Sequence, residues 1–219
     1  RVSLPPMMPP KRHNRSGFSL TELLVVMAII SLMAAISGPF VLGMLRGSQT
    51  TQDIVKLSTL LDQARQHAIA RNTYVWVAYT DQSSAPQDGT LVVVVESRTG
   101  CDALGWTTSA VSLTGNADLQ LLGKVESLPG IHLSDAGTVT TSGAPAAAGV
   151  LSASQVNLQA GSGSQAKTFD RAIQFSPAGE ARVRVPGQMI DVSLRPINGE
   201  EKNAAVIRLA GLSGKVRVY

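Results

Sequence analysis

Glu22 is the residue whose chemistry first needs an explanation, because it is an acid at the start of a long apolar stretch. Residues 23–45 carry no charge, and a run of that length is enough to cross a bilayer as a helix. A carboxylate at the centre of a membrane costs about 2.5–3.5 kcal/mol, and such residues usually have a partner. Near a helix start, water, headgroups or the helix dipole also satisfy the charge. Ion pairing and dipole stabilisation are therefore both open for Glu22.

Other reactive residue types do not form a recognisable catalytic or metal-binding pattern. Residues 161–168 approach a phosphate-binding loop, but Ala166 stands where a glycine must precede the lysine. Glu200 and Glu201 follow Asn-Gly, so a solvated turn explains them. Cys101 is the single cysteine and cannot close an intrachain disulfide, and we expect a buried or partly buried thiol. The histidines are scattered: His13, His67 and His132. The sequence thus predicts no catalytic residue, no metal site and no cofactor.

The composition favours a β-rich domain behind the apolar stretch. Hydrophobic residues make up 44% of the chain but aromatic residues only 4%, so a core must consist mostly of Val, Leu, Ile and Ala. The 20 glycines and 11 prolines suit a turn-rich β domain. Part of the net charge of +4 lies in Lys11, Arg12 and Arg15, so the charge balance gives little support to a nucleic-acid partner.

Residues 1–17 read as a targeting segment, because prolines disfavour regular structure there and a basic cluster precedes the apolar run. Basic residues of this kind stay on the cytoplasmic side of a membrane. A conventional secretory signal is the alternative, with cleavage after Ala35 among small residues. The length of the apolar run and the position of Glu22 argue against that alternative.

The stretch Gly17–Val26, GFSLTELLVV, resembles the class III signal of type IV pilins and pseudopilins. The resemblance implies that a prepilin peptidase cuts between Gly17 and Phe18 and methylates the new N-terminus of Phe18. It also implies that the Glu22 carboxylate pairs with the terminal amine of a neighbouring subunit in a filament. Each group is costly alone in lipid, so pairing favours one axial stagger between subunits.

The apolar helix contains Gly38-Pro39, which we expect to kink or locally melt it, with unwinding around residues 36–43 as in pilin filaments. Residues 46–72 keep helical spacing but become two-faced. The predicted apolar stripe, which should lie against a sheet, is Ile54, Leu57, Leu61, Ala64 and Ala68, widened by Leu60 and Ile69. The polar side, predicted to be solvated, carries Arg46, Lys56, Arg65 and Arg71.

Strand signals follow the two-faced helix. Runs of β-branched and aromatic residues predict strands at Tyr74–Thr80 and Thr90–Ser97, the second apolar enough to be central. Later strands are predicted at Ala172–Ser176, Ala181–Val185, Met189–Arg195, Ala204–Ala210 and Lys215–Tyr219, the last two joined by a hairpin at 211–214. Weaker signals are Leu119–Val125, Ile131–Leu133 and Leu151–Leu158, with loops at 138–149 and 161–165.

The C-terminal third resembles the H-type minor pseudopilins and their FimT-like relatives. The resemblance rests on Ile173–Gly179, IQFSPAG, and on the final strand after Gly214, GKVRV. Some FimT-like minor pilins bind DNA through a Gly-Arg-x-Arg phrase at this place, and here Lys215 replaces the first arginine. Lys215 and Arg217 would share one strand face and contact phosphates. Alternatively, they are two exposed cations that keep a strand edge soluble.

The sequence as a whole predicts an α+β, pilin-like fold, in which a long N-terminal helix packs on an antiparallel β domain. The predicted parts are a leader at 1–17, a transmembrane assembly helix at 18–45, an amphipathic helix at 46–72 and a periplasmic β domain at 73–219. The resemblance implies a minor pseudopilin-like structural subunit of a type II secretion or related type IV filament apparatus, not an enzyme. Its implied partners are prepilin peptidase, other pilin or pseudopilin subunits and the inner membrane. A FimT-like, DNA-binding minor pilin is the alternative.

Overall fold

The computed structural model describes residues 18–82, 89–104, 106, 109–134, 156–163, 166–184, 188–197 and 204–219, without the side chains of residues 36–46. The chain divides between Met44 and Leu45 into two compact units. Within the described residues, one helix is followed by thirteen strands. The predicted α+β layout, with a helix before a mostly antiparallel β domain, is confirmed.

The helix α1 runs from Leu20 to Arg71 without a break. It passes through Gly38 and Pro39, so the unwinding expected around residues 36–43 is absent from this single chain. A proline removes one hydrogen bond, whereas the leucine, methionine and alanine residues around it are strong helix formers. The predicted separate helix at 46–72 is therefore the second part of α1.

The end of α1 is a Schellman cap at Asn72. Asn72 has a φ of 51° and donates its N–H to the carbonyl of Ile69. The N–H of Thr73 donates to the carbonyl of Ala68 at 3.0 Å. These two bonds satisfy carbonyls that the helix leaves open, and the left-handed residue turns the chain out of the helix into the first strand.

The apolar stripe predicted on the second part of α1 packs against the domain core, where Ile54 and Leu60 are partly buried. Leu57, Leu61, Ala64 and Ala68 are 0–2% exposed. Ile69 is 45% exposed, because it lies about 100° around the helix from Ala68. Two cations of the polar side contact the β domain instead of being only solvated: Lys56 pairs with Glu126 at 2.7 Å, and Arg65 donates to the carbonyl of Gly179.

The strands have the following bounds: β1 Val75–Gln82, β2 Gly89–Ser97, β3 Val111–Ser112, β4 Leu119–Leu121, β5 Glu126–Leu128, β6 Ile131–Ser134, β7 Leu158–Ala160, β8 Lys167–Phe169, β9 Arg171–Phe175, β10 Ala181–Arg182, β11 Ile190–Pro196, β12 Ala205–Leu209 and β13 Val216–Val218. The predicted strands at both ends of the domain are confirmed within a few residues. The predicted hairpin at 211–214 is also confirmed, because Gly214 and Ser213 donate to the carbonyl of Ala210.

The middle of the domain departs from the predictions. The expected strand Leu119–Val125 stops at Leu121, and β5 begins separately at Glu126. β10 ends at Arg182 instead of Val185, and Arg184 has a positive φ of 58°, which ends extended structure. The sequence predicts none of the short strands β3, β5 and β8. Several predictions fall wholly or partly outside the described residues: the leader at 1–17, the loop at 138–149, residues 151–155 of the expected strand Leu151–Leu158, residues 164–165 of the loop at 161–165, Val185 of the expected strand Ala181–Val185, and the turn at Glu200 and Glu201.

The strands form three sheets. The first has the order β10-β9-β1-β2-β4, with β5 also pairing with β2. The second has the order β13-β12-β11-β6, and the third β3-β7-β8. All pairs are antiparallel except β3 with β7. Consecutive strands such as β1 and β2 form hairpins, whose antiparallel pairing needs only a short connection.

The first sheet is buried on both faces. One face packs with α1 and the second sheet in a larger core that includes Val77, Tyr79 and Val94. The other face packs in a smaller core with residues of the third sheet, and it includes Trp76 and Val93. Side chains alternate between the two faces of a strand, so the uninterrupted valines of β2 supply both cores.

Asp53 connects α1 to the turn between β5 and β6. Its carboxylate is buried and accepts the N–H of Gly130 at 2.7 Å. Thr50 donates its hydroxyl to the carbonyl of the same glycine at 3.1 Å. A Cβ on Gly130 would lie 2.8 Å from the Asp53 carboxylate, so this close contact requires glycine.

We expect Asp53→Ala to lower the free energy of unfolding by about 1–3 kcal/mol, because it leaves a buried N–H without an acceptor. Asp53→Asn is the matched control, since it keeps an acceptor oxygen and should cost less. Urea unfolding of the purified chain measures both values. Equal losses in the two variants would contradict the role given to this hydrogen bond.

Urea unfolding of the native chain and of Asp53→Asn at several pH values tests the titration of Asp53. Burial raises the pKa of Asp53, while the Gly130 hydrogen bond and the Lys56 charge oppose the rise. The folded chain therefore holds this proton more tightly than the unfolded chain, whose aspartate pKa is about 3.9. The stabilisation belonging to the protonated form is complete below that value and is lost as pH rises through the folded pKa. The free energy of unfolding of the native chain, relative to that of Asp53→Asn, should thus fall as pH rises from the unfolded to the folded pKa of Asp53.

Candidate functional site

The start of α1 is defined by Ser19. The N–H of Glu22 donates to the Ser19 carbonyl at 3.1 Å and to its hydroxyl at 3.3 Å, and the N–H of Leu23 donates to the same carbonyl. Ser19 is therefore the N-cap, and Glu22 lies in the first turn, where the helix dipole favours an acid. The spacing Ser-x-x-Glu is that of a capping box, a signal that the sequence reading did not use.

The side chains after this cap form an apolar surface on every side of the helix. Phe18, at the first described position, is 79% exposed. The other large apolar side chains of this surface, all exposed, are Leu20, Leu23, Leu24, Val25, Val26, Met27, Ile29, Ile30, Leu32 and Met33. A helix that is apolar all round normally lies inside a protein or a membrane. Residues 18–35 thus contain an acid, Glu22, in the first turn, and their other large side chains form a surface that requires an apolar environment.

Three further points concern the residues predicted for processing and assembly. Gly17 lies outside the described residues. Gly38 and Pro39 lie within α1, and their side-chain surroundings are not described. Among the described residues, no helix combines the length and the apolar character needed to cross a bilayer.

Lys215 and Arg217 lie at the C-terminal edge of the second sheet. Both are exposed, and as residues i and i+2 around β13 they share one face of the strand. The residue before them, Gly214, has a φ of 60° and packs against Gly179 and Arg65. The two phrases that resemble minor pseudopilins, one ending at Gly179 and one beginning at Gly214, are therefore in direct contact.

Arg208, opposite Arg217 on the neighbouring strand, has a different environment. It is 5% exposed, and its Nε and Nη2 donate to the two carboxylate oxygens of Asp191 at 2.6 Å each. The Tyr219 ring lies 5.6 Å from its guanidinium carbon. The hydrogen bond to Asp191 raises the pKa of Arg208 above its ordinary value. The sequence reading missed this pair, because strand register alone brings residues 17 positions apart together.

The other candidates from the sequence do not come together. Cys101 is exposed, so the expected buried or partly buried thiol is wrong; it lies in an irregular segment after β2, next to Gly100 with a φ of 71°. His67 pairs with Glu96 at 2.5 Å across α1 and β2. Lys167, in the sequence that approaches a phosphate-binding loop, lies in β8 opposite Ala160. Among the described residues, no group of three His, Cys, Asp or Glu side chains could hold a metal ion.

The fold and the helix start define a class of protein: an α+β domain with an exposed apolar helix that begins with an acid. Residues 12–38 match the prokaryotic N-terminal methylation motif, which is the signal of type IV pilins and pseudopilins. The resemblance predicted from Gly17–Val26 is thereby confirmed at the level of this signal, which supports a type IV pilin-like subunit. No curated protein and no solved structure matches the chain.

We expect Arg208→Ala to lower the free energy of unfolding by about 3–5 kcal/mol, because it leaves the buried Asp191 carboxylate without its partner. Arg217→Ala removes the exposed arginine opposite it and should change stability by less than about 0.5 kcal/mol. The double variant Asp191→Leu with Arg208→Met should recover much of the loss, since apolar residues often replace a buried pair. Similar losses for Arg208→Ala and Arg217→Ala in urea unfolding would show that the pair is not buried in solution.

Proposed function

We propose that this chain is a minor pseudopilin-like structural subunit of a type II secretion or related type IV filament apparatus, and not an enzyme. The observation that carries the proposal is the methylation motif at residues 12–38, within which residues 18–35 form an exposed apolar helix surface. Its proposed parts are a leader at 1–17, an assembly helix at 18–45, an amphipathic continuation at 46–72 and a β domain at 73–219.

Processing and assembly depend, in this proposal, on Gly17, Phe18 and Glu22. Prepilin peptidase cuts after Gly17 and methylates the new N-terminus of Phe18. In the filament, the Glu22 carboxylate pairs with the terminal amine of a neighbouring subunit. Ser19 supports this arrangement, because its cap fixes the first turn and with it the position of Glu22.

The proposed location is the inner membrane, with a single pass, a cytoplasmic N-terminus and a periplasmic β domain. The uncharged residues 23–45 and the basic residues before Gly17 support this orientation. After processing, the subunit leaves the bilayer for the pseudopilus, where the apolar helices of other subunits replace lipid around residues 18–35. Gly38 and Pro39 are the proposed place where the helix bends or unwinds during that transfer.

Processing and incorporation can be separated by two variants. Gly17→Ala should abolish cleavage by prepilin peptidase, whereas Glu22→Ala should be cleaved normally and fail to enter filaments. Asp62→Ala, which removes an exposed acid elsewhere on α1, is the control and should behave as the native chain. Gel mobility measures cleavage, and sedimented filaments measure incorporation.

The N-terminal sequence of the mature chain distinguishes this proposal from a conventional secretory signal. We expect it to start at Phe18. A mature chain that starts after Ala35, or unchanged cleavage of Gly17→Ala, would refute the proposed processing. Full incorporation of Glu22→Ala would refute the ion pair and leave the processing intact.

The alternative function is that of a FimT-like minor pilin that binds DNA during uptake. The observation in its favour is that Lys215 and Arg217 are exposed on one face of β13. Arg208, which lies opposite Arg217, is neutralised by Asp191, so it adds little to this positive surface. An interface with few phosphate contacts gives weak binding that is highly sensitive to salt.

A gel-shift titration of the purified chain with duplex DNA tests this alternative. If DNA binding is real, replacing both Lys215 and Arg217 by glutamine should abolish a shift that the native chain gives at low salt. Arg98→Gln, an exposed arginine on another part of the domain, should leave the shift unchanged. No shift of the native chain at low salt would end this alternative.

A further inference from the structure

Among the described strands, β13 lies at an edge of the second sheet and is bonded on one side to β12. Tyr219 and Val206 exchange both of their backbone hydrogen bonds, at 2.9 and 3.0 Å. Arg217 and Arg208 form the next pair of this kind, two residues earlier in the register. In an antiparallel ladder such bonded pairs alternate with pairs whose backbone groups point outward.

Val216 and Val218 occupy the alternate positions, so their N–H and C=O groups point away from β12. In the part of the chain that the structure describes, none of these four groups has a hydrogen-bond partner. An edge with open donors and acceptors of this kind accepts an additional strand from another chain.

The side chains of β13 differ between its two faces. Lys215 and Arg217 project from one face, and both are exposed. Val216 and Val218 project from the other face: Val216 packs against the larger core, and Val218 is 49% exposed. A strand added at this edge would therefore meet cations on one face and valines on the other.

We propose that β13 binds an extended segment of a partner protein in which acidic residues alternate with apolar ones. The backbone of that segment bonds to Val216 and Val218, its acids face Lys215 and Arg217, and its apolar side chains cover Val218. A second copy of β13 is disfavoured as the occupant, because it would place cations opposite cations. A nucleic acid would use the two cations but leave the open backbone groups unpaired. This inference does not depend on the proposed role in a filament.

The test uses the full chain in detergent micelles and three fluorescent eight-residue peptides, with fluorescence anisotropy as the readout. The first peptide alternates Glu and Val, and the second alternates Lys and Val. The third is the Glu-Val peptide with N-methyl groups on the amides of one edge, which blocks strand addition without changing the charge. We expect the Glu-Val peptide to bind about tenfold or more tightly than either of the others. Equal binding of the methylated and unmethylated peptides would overturn strand addition.

Variants locate the site. Replacing both Lys215 and Arg217 by Glu should reverse the preference towards the Lys-Val peptide, whereas Arg98→Glu, a charge reversal away from β13, should leave it unchanged. Amide hydrogen exchange adds a readout that follows the backbone. The amides of Val216 and Val218 should exchange quickly in the free chain and slowly with the Glu-Val peptide, while that of Arg217 is protected in both. No change at these two valines would overturn the proposal, as would binding of duplex DNA but not of the peptide.

Discussion

The apolar surface of residues 18–35 is the constraint that the rest of the molecule has to satisfy. Eleven large apolar side chains are exposed there, and burying each contributes about 1.5–3 kcal/mol. Their sum, roughly 17–33 kcal/mol, exceeds the stability of a typical folded domain, which is about 5–15 kcal/mol. Leaving this surface in water forgoes that stabilisation. Only an apolar environment provided by lipid or by other helices removes that cost.

The second half of α1 packs on the β domain through both apolar and polar contacts. Its stripe from Leu57 to Ala68 is buried in the larger core, and polar contacts lie beside that stripe. Asp53 bonds to the β5–β6 turn, Lys56 pairs with Glu126 on β5, and His67 pairs with Glu96 on β2. Apolar burial supplies most of the stabilisation, since it is proportional to area, and the directional bonds fix the rotation of the helix about its axis.

The parts of the fold that the sequence predicts well are those with a long apolar pattern. The stripe on α1 repeats at helical spacing over several turns, and β2 contains an uninterrupted run of β-branched residues, so each pattern is long enough to be recognised. β3 and β8 have two and three residues, so they cannot show a period, and only pairing with β7 makes them strands. The Ser19 cap was readable from its spacing to Glu22. The Asp191–Arg208 pair was not, because it depends on the register of two strands.

The C-terminal third illustrates the difference between residues that build the fold and residues that give it a function. A Cβ on Gly214 would clash with the Gly179 carbonyl oxygen, and Gly179 has a φ of 81°. Close backbone packing therefore requires Gly214, and the left-handed backbone favours glycine at 179. The two sequence segments that contain these glycines therefore indicate the fold, which filament subunits of different roles could share. Arg208 and Arg217 are neighbours across two strands, yet one is buried in an ion pair and the other faces solvent. The partner proposed for β13 would be recognised at exposed positions such as Arg217, where a change does not disturb the core.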